Sequence, residues 1–109
     1  MRQGTTPTYT LTVAGHDLTA QTVYVTLRGK FGRALTLSGE RLTITADTSG
    51  STIAFRLTQE ETFALHIGTA EVQVRFIDAQ GVALATNIAT VDVGPVLLPD
   101  VIEYEGAGT

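Results

Sequence analysis

Between Gly68 and Val93 the chain shows its clearest alternation. Ala70, Val72, Val74 and Phe76 interleave with Thr69, Glu71, Gln73 and Arg75, and a period of two with one apolar face predicts a half-buried antiparallel strand. Ala79-Gln80-Gly81 then turns the chain back on itself, so the whole stretch is predicted to be one long hairpin. Along the return arm the parity changes: Val82, Leu84 and Ile88 occupy even positions, Val91 and Val93 odd ones. A one-residue bulge near Ala89 would keep both sets on the core face. Glu71 and Arg75 are expected to form a surface pair of little energetic weight.

Shorter alternating runs precede the hairpin. Tyr9, Leu11 and Val13 set a first strand, Val23, Val25 and Leu27 a second, Leu35 and Leu37 a third, Leu42, Ile44 and Ala46 a fourth, and Ile53, Phe55 and Leu57 a fifth. Gly15 and Asp17 break the pattern after the first strand, and Leu18 in that connection is expected to plug one end of the core. Ser38-Gly39-Glu40 and Thr48-Ser49-Gly50 read as turns. Thr58-Gln59-Glu60-Glu61 is the one helical signal, a capping box in which the Thr58 hydroxyl accepts from the Glu61 amide and the Glu61 carboxylate reaches back. One or two helical turns follow it, and Phe63 and Leu65 seal the crossing between sheets.

About seven strands with one helical crossing before the last hairpin predict an all-β, immunoglobulin-like antiparallel sandwich. The Cys and Trp landmarks of antibody domains are absent, and a small Greek-key barrel is the competing architecture. Three segments are expected: a flexible arm over residues 1–7 unless something captures it, the sandwich over 8–94, and an apolar and acidic tail over 95–109.

Composition narrows the function. With 109 residues the chain is expected to form one domain and to bury roughly 65% of its unfolded surface. It contains no cysteine, so disulfides and thiolate metal sites are excluded. Seven basic against eleven acidic residues, a net charge of -4, argue against nucleic acid as a partner. Asp100, Glu103 and Glu105 lie beyond the last base, Arg75, so the acidity is concentrated in the tail. Nineteen threonines against three serines suit solvent-facing strand positions rather than chemistry. The polar start MRQGTTPT and the lack of a long apolar run predict no membrane association and synthesis in the cytoplasm.

Candidate chemistry is sparse. His16 and His66 stand fifty residues apart with no metal-ligand spacing. Adjacent Glu60 and Glu61 do not face each other on a helix, and Ser49 and Ser51 sit in a turn without a nucleophile motif. No catalytic residue, cofactor site or metal site is predicted. Arg28, Lys30, Phe31 and Arg33 gather three bases and an aromatic, the best candidate contact for an anionic or sugar ligand. A solvated hairpin tip is the simpler reading of the same residues. The tail is the stronger anomaly: Val96, Leu97, Leu98, Val101, Ile102 and Tyr104 are more apolar than a free segment tolerates. They are candidate assembly contacts, docking either along the same sandwich or on a neighbouring subunit by strand addition or groove packing.

The opening RQGTTPTYT, the LTQEET of Leu57 to Thr62 and the hairpin EVQVRFIDAQGVALATNIATVDVG together resemble small prophage-encoded proteins of Gram-positive, Clostridia-like genomes. The layout is also similar to the N-terminal immunoglobulin-like domain of phage baseplate upper proteins. The resemblance to the prophage proteins covers most of Arg2 to Gly94, and with the baseplate-like layout it implies a non-enzymatic virion structural protein of a tail or baseplate, made in the bacterial cytoplasm and then carried in the virion. Its implied partners are other phage structural proteins or a second copy of itself. Without the long helical and receptor-binding portions of the baseplate proteins, a connector or accessory role is expected rather than adsorption. A small carbohydrate-binding or other ligand-binding module is the alternative.

Overall fold

The computed structural model describes residues 1–30 and 34–102. Its strands are β1 (Thr8–Ala14), β2 (Thr22–Arg28), β3 (Ala34–Ser38), β4 (Leu42–Asp47), β5 (Gly50–Arg56), β6 (Gly68–Ile77), β7 (Ala83–Ala85) and β8 (Ala89–Val93). A short 3-10 turn, Gly39–Arg41, joins β3 to β4, and the six-residue helix α1 (Gln59–Ala64) joins β5 to β6. One sheet has the order β1-β5-β4, the other β3-β2-β6 with β7 and β8 sharing the far edge of β6. All strand pairs are antiparallel. The chain is an all-β sandwich of a three-stranded and a five-stranded antiparallel sheet, with a helical crossing between β5 and β6.

The core follows the predicted alternation where strands are covered on both sides. Val23, Val25 and Leu27 of β2, Ile53 and Phe55 of β5, and Ala70, Val72, Val74 and Phe76 of β6 are buried, and Leu57 and Leu65 close the end near α1. Leu18 is fully buried as the plug at the other end, its N–H donating to Ser51 Oγ at 2.8 Å while that hydroxyl donates to the His16 carbonyl at 2.7 Å. Burying Ser51 is tolerated because both its capacities are used. On β1, only Val13 is buried, and Tyr9 and Leu11 pack against the core half-covered.

The return arm of the hairpin differs from expectation. It is two short strands rather than one. Asp78 organises the turn, its carboxylate accepting from the N–H groups of Gln80 (2.9 Å) and Val82 (3.0 Å). Leu84 stands opposite Phe76, and Val91 opposite Ala70, so the pairing slips by one residue between β7 and β8. The bulge needed to reconcile the parity therefore exists, at Thr86–Ile88 just before Ala89. Thr86 holds it: its N–H donates to the Val74 carbonyl at 2.9 Å and its hydroxyl accepts from the Val74 N–H at 3.1 Å. Val82, Leu84 and Ile88 are exposed all the same. β7 has only three residues and pairs on one side, at the edge of its sheet, and Ile88 lies beside Thr26, Arg28, Glu71 and Gln73 at the outer face. Glu71 pairs not with Arg75 but with Arg28, directly opposite on β2, at 2.6 Å.

Gly29 marks a second constraint. A Cβ there would stand 1.9 Å from the Leu65 carbonyl oxygen, so the end of β2 packs backbone to backbone against the link from α1 to β6. Gly29→Ala forces these segments apart and is expected to cost on the order of 1–3 kcal/mol, as overpacking does, read as a lower urea midpoint with an unchanged slope. A midpoint equal to that of the parent chain would show that the approach is relaxed without cost.

Candidate assembly surface

The end of the sandwich that carries α1 also gathers both terminal segments. The capping box forms as predicted: the Glu61 N–H donates to Thr58 Oγ1 at 3.1 Å, and the Thr58 N–H to Glu61 Oε1 at 2.8 Å. Glu61 has a further partner that local sequence could not reveal. Arg41, from the 3-10 turn, donates to both of its carboxylate oxygens at 2.6 and 3.1 Å and also to the Arg56 carbonyl at 3.0 Å. Burial pushes the Glu61 carboxyl up, but the Arg41 hydrogen bond, the Thr58 N–H, the charge of Arg41 and the Thr58 hydroxyl together hold it below its ordinary value.

The arm over residues 1–7 is captured rather than loose. The Gly94 N–H donates to the Met1 carbonyl at 2.7 Å, and the Gln3 N–H to the Gly94 carbonyl at 3.0 Å, forming a short parallel bridge beside the end of β8. Arg2 donates to the Pro95 carbonyl at 2.9 Å, and the Gly4 N–H to the buried Thr62 hydroxyl of α1 at 2.9 Å. Gly4 has φ +73, and a Cβ on it would meet the Phe63 ring at 3.0 Å. These bonds engage backbone groups, which is why the polar side-chain pattern gave no sign of them.

After Pro95 the tail folds back across its own domain. Val96 is half-buried near Gly4 and Phe63. The Gln59 side-chain amide then grips Ile102 as a peptide would, accepting from its N–H at 2.8 Å and donating to its carbonyl at 2.9 Å. Between strap and domain lies a cleft of 440 Å³ lined by Arg41, Arg56, Gln59, Glu60, Val101 and Ile102 among others. The strap hides little of its apolar surface: Leu97 is 103% exposed, Ile102 61%, Leu98 53% and Val101 40%. Tyr104 lies outside the described residues.

The basic stretch gives a weaker surface. Arg28 is committed to Glu71. The neighbouring pocket of 180 Å³ is lined by Thr26, Arg28, Ala34, Glu71, Val72, Gln73 and Ile88, so an acid already stands beside Arg28. The Lys30 stem packs against Gly68, while Phe31 and Arg33 lie outside the described residues. His16 packs on Phe76 with ring centroids 5.1 Å apart, and His66 takes φ 59 just after α1. Among the described residues no group of His, Asp and Glu is placed to hold a metal ion, and no helix is long and apolar enough to cross a membrane.

A further surface is formed only by the fold. Tyr9, Leu11, Leu27, Phe55, Val72, Ala89, Thr90 and Val91 line an apolar cleft of 160 Å³ between β1 and β8, where the two sheets part. The signal was available in β1, TYTLTVA, which carries no charge and no proline to guard an edge.

Because the folded Glu61 carboxyl titrates below its unfolded value, its contribution is present above the ordinary glutamate range and is lost as pH falls through the folded value. Glu61→Gln, which keeps a capping side chain but not the charge, is expected to cost about 0.2–1 kcal/mol at neutral pH. The two melting temperatures should converge as pH falls below the depressed folded value of Glu61. A gap independent of pH would assign the loss to geometry instead of charge.

Compared with protein-family models and with curated proteins, the chain matches none.

Proposed function

We propose that this chain is a non-enzymatic structural component of a phage particle, a small connector or accessory piece of a tail or baseplate that works through protein–protein contacts. The observation that carries this reading is the segment from Leu97 to Ile102, whose leucine, valine and isoleucine side chains are exposed while the Ile102 backbone is held to the domain. Fully burying such a side chain contributes roughly 1.5–3 kcal/mol. Association costs an estimated 4–15 kcal/mol or more, so several of these side chains must be covered together. A patch that does this belongs to an interface. The resemblance of the arm, the helix signal and the hairpin to prophage proteins supplies the setting, with synthesis in the bacterial cytoplasm followed by incorporation into the virion.

The reading is tested by inducing the host prophage, separating assembled tails by sedimentation and identifying their chains by mass spectrometry. The full chain is expected to travel with the particles at a fixed ratio to other tail proteins, and a chain ending at Gly94 to be left in the soluble fraction. Absence of the full chain from particles would overturn the proposal.

A further inference from the structure

β1 is an open edge with a defined set of free backbone groups. The Leu57 N–H donates to the Pro7 carbonyl and the Gly15 N–H to the Ser49 carbonyl, at the two ends of the β1–β5 register. Antiparallel bonding alternates along the strand, so Tyr9, Leu11 and Val13 bond toward β5. Thr8, Thr10, Thr12 and Ala14 therefore turn their N–H and C=O groups to the other side. No described strand pairs there. The register runs without a bulge from Thr8 to Ala14, and none of the usual guards of an edge is present.

Two sides of the sandwich are open, and their chemistry differs. On the β3 and β4 side the crevice is lined by Gln21, Thr22, Tyr24, Ser38 and Gly39 with Val23, Leu42 and Ile44, and the 3-10 turn spans from one strand to the other. On the β1 and β8 side the lining is apolar apart from Thr90, and Tyr9 and Leu11 are only half-covered. The foot of β8 is taken by Met1 and Gln3, which leaves β1 as the longer vacancy.

We infer that this cleft receives residues Val96 to Ile102 of a second copy of the chain, added as an antiparallel strand along β1. The inference rests on the assembly reading above and names its acceptor. Both segments have seven residues. In an extended strand Leu97, Pro99 and Val101 share one face, wholly apolar, while Asp100 falls on the other with Val96, Leu98 and Ile102. Placing the apolar face inward puts it beside Tyr9, Leu11 and Val13 and leaves Asp100 in solvent beside the threonines. That arrangement requires the even tail residues to bond with the even residues of β1, and it turns Pro99, which has no N–H, away from the ladder. The uncharged β1 offers no repulsion to the acidic tail. The copy that donates its tail gives up the exposed clamp by Gln59 and the partial cover of Val96 near Gly4 and Phe63. Each chain carries one donor and one acceptor, so the contact is head-to-tail and builds rings or rows.

The chain has no cysteine, which permits a direct test with full-length single-cysteine variants. Thr10→Cys and Asp100→Cys proteins, mixed and oxidised, are expected to form a mixed disulfide more than about tenfold faster than Asp100→Cys mixed with Thr45→Cys, an exposed position on β4. Sedimentation of the unmodified chain should show species above monomer, weakened at least about tenfold by Leu97→Asp. Equal disulfide rates for the two pairs would overturn the inference. If removal of the tail after Gly94 abolished self-association while the rates were equal, the tail would keep its assembly role and β1 would lose its place as acceptor. A strictly monomeric full chain would also overturn the inference, whether or not the chain is found in particles.

Discussion

The ladder of β6 is the constraint on which the rest of the structure depends. Its ten residues pair with β2 on one side and with β7 and β8 in succession on the other, and its inward row of Ala70, Val72, Val74 and Phe76 is buried against the opposite sheet. A slip of one residue would turn that entire row to solvent. The magnitudes fix the hierarchy: each buried valine or phenylalanine contributes roughly 1.5–3 kcal/mol, whereas an exposed pair such as Arg28 and Glu71 contributes about 0–1. Charge on the outer faces adjusts the sheet, and burial sets its register.

Much of this was legible wherever a strand has neighbours on both sides. The alternation in β2, β5 and the outgoing arm of the hairpin maps directly onto buried residues. It fails at the margins for an identifiable reason. Leu84 obeys the parity by standing opposite Phe76, yet it is exposed on the three-residue edge strand β7. Parity reports which way a side chain points, and cover depends on where its strand stands in the sheet. The capping box at Thr58 was legible because its groups are three residues apart. Arg41 was not, since it reaches Glu61 only after β4 and β5 have folded. The capture of the arm is hidden for a related reason: its bonds run through backbone groups of Met1, Gln3 and Gly4, which every sequence possesses.

The candidate surface divides in the same way. The apolar run beyond Pro95 is plain in the sequence, and the structure adds that its side chains stay uncovered while its backbone is tethered. The cleft between β1 and β8 is a property of sheet order, arising because β1 pairs only with β5 and β8 only with β6. Tyr9 and Leu11 look like ordinary strand residues until that order is known.

Helix α1 has six residues, too few to be stable in isolation. It persists because distant segments meet on it: Arg41 through Glu61, the N-terminal arm through Thr62, and the C-terminal strap through Gln59, with the end of β2 resting against the adjoining Leu65 carbonyl. Contacts shared at one hub open together. Unwinding this single turn and a half would free the Gly4 end of the arm and the strap at Ile102 in one cooperative step, leaving the ladder of β6 and the bridge of Met1 and Gln3 to Gly94 intact, and the amides of Gly4, the helix and Ile102 would exchange with solvent as one unit.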